Sequence, residues 1–168
     1  WTELMVPPVP ADHPASVIQV TLGSTPAADQ TLGIYPNIPS TMLIEFSEVT
    51  QAVKKELRWM EKFGEWKHMN QVGEWENDGR AVWTVDVAVP GDYYLDLTYK
   101  GDGRMVWRVE TDEGGTIQNQ QNSVPIYHTY PIGLMSFAKA GKHTITVSLV
   151  EGDRDKASLS ALRFRPAE

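Results

Sequence analysis

The sequence predicts an all-β fold, an antiparallel β-sandwich, from three observations. Around Pro90-Gly91, Ala81, Trp83, Val85 and Val87 alternate with Val82, Thr84 and Asp86, and Tyr93, Leu95, Leu97 and Tyr99 alternate with Tyr94, Asp96 and Thr98. This period of two buries one face of a strand and wets the other, and the pair reads as a hairpin. Further short runs of the same kind follow, each bounded by Gly, Pro, Asp or Asn. No helical runs alternate with them, so a sandwich or barrel is expected rather than a parallel sheet, with the sandwich favoured. A length of 168 residues suits one domain that buries roughly two-thirds of its unfolded surface and folds without staples.

In chain order, residues 1–16 hold Pro7, Pro8, Pro10 and Pro14. That density of proline forbids a regular ladder and reads as the end of an extended linker. The sandwich domain is placed at 17–168. Val17 to Leu22 alternates and opens it as a first strand closed by Gly23, and Ser24 to Ser40 has loop composition. Met42 to Phe46 is a short strand. Ser47 to Phe63 is ambiguous: Val49, Val53, Leu57, Met60 and Phe63 approximate helical spacing, yet 57–63 also reads as a strand. Strands resume at Ala81–Val89, Tyr93–Tyr99, Met105–Thr111, His143–Val150 and Leu159–Arg165. Turn signals separate them at Asn77-Asp-Gly79, Pro90-Gly91, Gly101-Asp-Gly103, Glu113-Gly-Gly115, Ala140-Gly141 and Glu151-Gly152. Because the chain begins at Trp1, it reads as an excised piece of something longer.

Composition excludes several function classes. There is no cysteine, so a thiolate metal site, a catalytic thiol and a disulfide framework are ruled out. The net charge of -7, with Lys and Arg scattered, argues against a nucleic-acid or anionic-membrane surface. No window approaches the eighteen apolar residues of a membrane span, and residues 1–5 carry no basic-then-apolar export signal. His13, His68, His128 and His143 form no HExxH-like pair, no serine sits in GxSxG, and no glycine-rich loop cradles phosphate. The acid pairs Glu74 and Glu76, Asp112 and Glu113, and Asp153 and Asp155 show no sign of burial, so they read as solvated loop charges rather than a hydrolytic pair.

Three segments carry a family resemblance. They are Val72-Gly-Glu-Trp-Glu-Asn followed by Val82-Trp83, then Pro90-Gly-Asp-Tyr-Tyr-Leu-Asp-Leu-Thr-Tyr99, and Ala140-Gly-Lys-His-Thr-Ile-Thr-Val147 leading into Leu159-Ser-Ala-Leu-Arg-Phe-Arg-Pro166. In this order and spacing the chain resembles the C-terminal β-sandwich accessory domain of bacterial family 29 glycoside hydrolases, the alpha-L-fucosidases. It is more distantly similar to family 6 and family 35 carbohydrate-binding modules. The resemblance spans 17–166 and implies a jelly-roll-like sandwich of the carbohydrate-binding-module type, in a periplasmic or secreted bacterial enzyme. It tilts 47–63 toward strand and loop. It also implies a catalytic barrel elsewhere in the same polypeptide, since such a barrel needs about 250 residues.

Sugar rings present C–H faces ringed by hydroxyls, so a binding site pairs an exposed aromatic face with amide, carboxylate or guanidinium groups. Trp83 and Trp107 are in phase with apolar strand positions and belong to the core. Trp75, beside Asn77 and Asp78 at a turn, is a candidate platform or else a cap on the core. The polar run 118–130 reads as a loop, and the resemblance adds Asn122, Tyr127 and Tyr130 from it, with His128 beside them, as candidates. Trp1, Trp59 and Trp66, together with Leu4, Met5 and Met60, are candidates for contact with a neighbouring domain. No cofactor is expected. Some related modules hold a structural calcium, for which Glu45, Glu48, Asp153 and Asp155 offer hard oxygen ligands without EF-hand spacing. The expectation is therefore a non-catalytic accessory domain that either braces the barrel or holds glycan weakly near it. Its rivals are a free-standing carbohydrate-binding module and an enzyme on a jelly-roll scaffold.

Overall fold

A computed structural model describes residues 32–61 and 64–167. The linker at 1–16, the strand expected at Val17–Leu22, Trp1, Leu4, Met5, His13 and Phe63 lie outside the described residues. Within them the chain forms two six-stranded sheets and no α-helix. The strands are β1 (Leu32–Ile34), β2 (Ser40–Leu43), β3 (Glu48–Thr50), β4 (Val53–Met60), β5 (Trp66–Gly73), β6 (Arg80–Val87), β7 (Gly91–Lys100), β8 (Gly103–Thr111), β9 (Thr116–Ser123), β10 (His128–Phe137), β11 (Gly141–Glu151) and β12 (Ser158–Pro166). One sheet runs β1-β6-β11-β8-β9 with β3 also on β6, and the other runs β10-β7-β12-β5-β4 with β2 also on β12. All pairs are antiparallel except β1 with β6. The all-β sandwich expected from the sequence is the fold found.

The expected hairpin at 81–99 is a correction. β6 bonds β1, β3 and β11 in one sheet, whereas β7 bonds β10 and β12 in the other, so Pro90-Gly91 is a crossing between sheets. Both strands do bury one face: Ala81, Trp83, Val85 and Val87 face the core from one side, and Tyr93, Leu95, Leu97 and Tyr99 from the other. A hairpin and a sheet crossing leave the same alternation in the sequence, because each inner face needs a period of two. Their difference lies in where the backbone groups are bonded. Ala88 N–H donates to Ile34 O at 2.9 Å, continuing the β1–β6 ladder, and Gly91 turns with φ +148°, a conformation side chains disfavour.

The segment Ser47–Phe63 resolves, as far as it is described, into β3 and β4, and its helical spacing is coincidental. Every residue of β4 is exposed, so no apolar stripe is collected on one side. The strand expected at Met42–Phe46 is β2 followed by a single 3-10 turn at Ile44–Phe46. The run 118–130 is not one loop: β9 extends to Ser123, a short connection follows, and β10 begins at His128. The Gln- and Asn-rich β9 lies at a sheet edge with little buried surface, which is why it shows no apolar alternation.

β12 organises the second sheet's open side. Val72 of β5 pairs with Leu159 at its start, and β2 takes over the same edge at Ala161–Phe164. β5 therefore leaves β12 after one pair, and the β4–β5 hairpin extends away from it.

Candidate functional site

Successive antiparallel strands reverse direction, so four connections meet at one end of the sandwich. They are Glu74–Gly79, Gly101–Asp102, Val124–Tyr127 and Gly152–Ala157. Gly101 N–H donates to Val124 O at 3.1 Å, Ser123 Oγ to Gly103 O at 3.0 Å, and an Arg154 Nη to Glu76 O at 3.0 Å. Lys156 Nζ bridges to Asp102 at 2.7 Å and to Asp153 at 3.5 Å, and those carboxylates raise its pKa. Beneath the loops lies a row of rings: Trp75 meets Trp107 edge-on at 5.3 Å, Trp107 meets Tyr99 at 5.2 Å, and Tyr99 meets Tyr130 at 4.4 Å.

Beside this end is an open concavity of about 370 Å³, walled by Lys55, Gln71 and Glu74 on one side and by Lys100, Asp102, Pro125, Asp155, Lys156 and Ser158 on the other. Gln71 and Ser158 are buried. The Tyr127 hydroxyl donates to Gln71 Oε1, and Lys100 Nζ lies 5.3 Å from the Tyr127 ring centroid. Burial pushes the Tyr127 phenol up to about 12, against a smaller opposing pull from a hydrogen bond with Ser158. Lys55 pairs with Glu74 at the rim. The cup thus offers a carboxamide, a hydroxyl, ammonium groups and carboxylates, with the half-buried Tyr127 adjoining Gln71 and Lys100. These groups hydrogen-bond a polyhydroxylated molecule well.

The expected candidates distribute unevenly around this cup. Tyr127 is outside its lining but adjoins it, with its hydroxyl on Gln71 and its ring beside Lys100. Trp75 is 3% exposed and Tyr130 is 8% exposed, so neither ring offers a face to a ligand. Trp75 caps the core. Asn77 and Asp78 are exposed on the β5–β6 turn, and Asn122 lies opposite Arg104 on β9, all outside the lining. His128 is exposed and packs edge-on against Tyr130 at 5.0 Å. Trp59 and Trp66 are 43% and 67% exposed on the β4–β5 hairpin.

The sequence reading missed Lys55, Gln71, Lys100 and Ser158. Lys55 lies in the stretch 47–63 that the sequence leaves open between helix and strand, and Gln71 on a strand that no apolar alternation announces, while the glycine turns at 101–103 and 151–152 mark the loops around Lys100 and Ser158.

Among the described residues no three acidic or imidazole side chains gather at metal-binding distance, Glu45, Glu48, Asp153 and Asp155 included. The acid pairs weighed for hydrolysis are exposed and partly engaged elsewhere: Asp112 holds His143 at 3.1 Å, and Glu113 accepts from Ala138 N–H at 2.8 Å. No helix among the described residues is long and apolar enough to cross a membrane.

No family model and no curated protein matches the chain. Solved structures do. A family 35 carbohydrate-binding module from Clostridium thermocellum is similar over 77% of this chain and 99% of its own, at 14% identity and a TM-score of 0.59. The family 6 module from Cellvibrio mixtus lichenase 5A, solved with cellotriose, is similar over 77% and 98%, at 12% identity and a TM-score of 0.57. The mosquito-larvicidal Cry4Aa toxin from Bacillus thuringiensis is similar over 84% of this chain, at 10% identity and a TM-score of 0.64. Against the larger chains it matches, including that toxin, this chain spans only about a quarter of the length. The fold is therefore that of family 35 and family 6 carbohydrate-binding modules, and at these identities the likeness is one of fold alone.

Proposed function

We propose that this chain is a non-catalytic carbohydrate-binding module that holds glycan at the loop-end concavity lined by Lys55, Gln71, Lys100 and Ser158. The observation that carries the reading is the Tyr127–Gln71 hydrogen bond, by which a tyrosine beside the cup fixes the carboxamide that lines it among other hydroxyl-binding groups. The sandwich shared with carbohydrate-binding modules supports it. With no open aromatic face in the cup, affinity rests on polar groups that water also satisfies. Binding is accordingly weak, with a dissociation constant on the order of 0.1–1 mM, or about 4–5.5 kcal/mol.

The finer part of the proposal is attachment to a catalytic barrel of the alpha-L-fucosidase type in a periplasmic or secreted bacterial enzyme. It rests on the resemblance of the three segments at 72–83, 90–99 and 140–166.

Calorimetric titration with fucosylated and unfucosylated oligosaccharides tests both parts. The expected result is saturable heat at millimolar ligand that Gln71→Ala and Tyr127→Ala abolish, with fucosylated ligands preferred. Binding without that preference would remove the fucosidase connection and keep the module. Absence of heat, or heat indifferent to both substitutions, would overturn the site.

A further inference from the structure

The β4–β5 hairpin presents a feature the concavity does not use. β4 is the last strand of its sheet, all eight of its residues are exposed, and it contains neither proline nor glycine. Long unguarded edges of this kind invite pairing with another strand. Lysines commonly guard such edges, but here Lys54 Nζ is folded back onto Ser47 O at 2.6 Å and Glu45 O at 3.2 Å, and Lys55 is paired with Glu74. At the opposite edge of the same sheet, Gln121 of β9 donates to Pro131 O of β10 at 3.3 Å and so occupies one of its carbonyls.

The backbone states which residues are available. Glu61 N–H donates to Glu65 O at 2.8 Å, and the ladder places Trp59 opposite Lys67 and Leu57 opposite Met69. Backbone groups alternate sides along a strand, so the odd-numbered residues of β4 bond to β5. Lys54, Glu56, Arg58 and Met60 then turn their N–H and C=O groups to the free edge.

We propose that this edge pairs with the β4 edge of a second copy of this chain, antiparallel about a two-fold axis through Leu57. In that register Glu56 faces Arg58 of the partner and Arg58 faces its Glu56, both with outward backbone groups. Lys54 faces Met60, Lys55 faces Trp59, and Leu57 meets its own copy. The neighbouring symmetric registers fail on charge: centring on Glu56 sets Glu56 against itself and Lys54 against Arg58, and centring on Arg58 sets that cation against itself. Registers displaced by one residue oppose an outward-bonded position to an inward-bonded one. The within-strand Glu56–Arg58 pair, 2.9 Å apart and well exposed, contributes little to the single copy and is free to exchange partners. Each copy has one β4, so the two-fold closes and a dimer forms rather than a filament.

Sedimentation of the whole chain over a concentration series tests the pairing, with hydrogen exchange of the 53–61 peptide as its structural readout. The expected result is a monomer–dimer equilibrium in which protection of that peptide rises with concentration. Glu56→Arg or Arg58→Glu alone shifts the equilibrium to monomer, and the double exchange E56R/R58E restores the dimer. Both positions are exposed, so folding is retained. Three results would overturn the proposal: a monomer throughout, a dimer indifferent to the single exchanges, or a hairpin occupied instead by a separately expressed catalytic barrel.

Discussion

The loop end of the sandwich and the β4–β5 hairpin use aromatic residues in opposite ways. Trp75 and Tyr130 stand beside polar turns, yet both rings face inward and stack with Tyr99 and Trp107. Trp59 and Trp66 lie on regular strands, yet both face outward. Position beside a loop therefore does not decide exposure; what decides it is whether a second layer lies over the strand. At the loop end two sheets face each other and rings fill the space between them. β5 leaves β12 after the single pair Leu159–Val72, and the hairpin beyond it lacks a facing layer.

Mutation should separate the regions by size of effect. Trp107→Ala deletes a 1%-exposed ring held between Trp75 and Tyr99, and should cost about 3–5 kcal/mol in urea unfolding. Trp66→Ala removes a ring that is 67% exposed and should change monomer stability by about 0.5 kcal/mol or less. Equal losses at the two sites would mean that the hairpin is packed against the body, and the contrast would fail.

The same contrast explains what could be read from the sequence. Wherever two layers face, the strands carried period-two burial, and β6, β7, β8, β11 and β12 were legible within a residue or two of their bounds. β5 loses its facing layer along its outer half, and β9 is an edge strand of Gln, Asn and Thr, so neither carried that signal. Missing them had a consequence for the site. In an antiparallel sandwich alternate turns share an end, so finding which loops converge requires every strand to be counted. With β9 read as loop, the turn at Glu113–Gly115 merged with the connection at Val124–Tyr127, although they lie at opposite ends. Tyr127, a candidate from the sequence, adjoins the cup through Gln71 and Lys100. Gln71 and Lys55 were not candidates, because nothing in their own neighbourhoods marks them.

Alkaline pH probes the buried tyrosines at a smaller scale. Burial raises the pKa of Tyr93, of Tyr99 and of Tyr127, the last to about 12, above the unfolded value near 10. A raised phenol pKa means that the folded state favours the neutral form. The associated stability is fully present below pH 10 and is lost as pH rises through the folded value. Unfolding free energy should hold level up to about pH 10 and fall between about 10 and 12. Tyr127→Phe should make that fall shallower while leaving the neutral-pH fold intact. A pH profile identical in the variant would place Tyr127 in water rather than packed against Gln71.

The smallest expected effect concerns two hydroxyls of β7, Tyr93 near its start against Phe137 and Phe164 and Tyr99 near its end in the row of rings. Tyr93 donates to Val89 O at 2.7 Å, whereas the Tyr99 hydroxyl, fully buried beside the Trp107 indole, has no partner at hydrogen-bonding geometry, and neither do the indole N–H groups of Trp75 and Trp107. The Trp107 indole N–H acts on the Tyr99 hydroxyl only weakly, lowering its pKa against the larger effect of burial, so the group has surrendered its water bonds and recovered little; deleting it should be neutral or stabilising by up to about 1 kcal/mol. Tyr93→Phe, which breaks a made bond and strands a carbonyl, should instead cost about 1 kcal/mol. Paired denaturation curves for Tyr99→Phe and Tyr93→Phe decide the matter. If Tyr99→Phe costs as much as Tyr93→Phe, its hydroxyl is bonded in solution, and the loop end is held by polar contacts as well as by the packing of its rings.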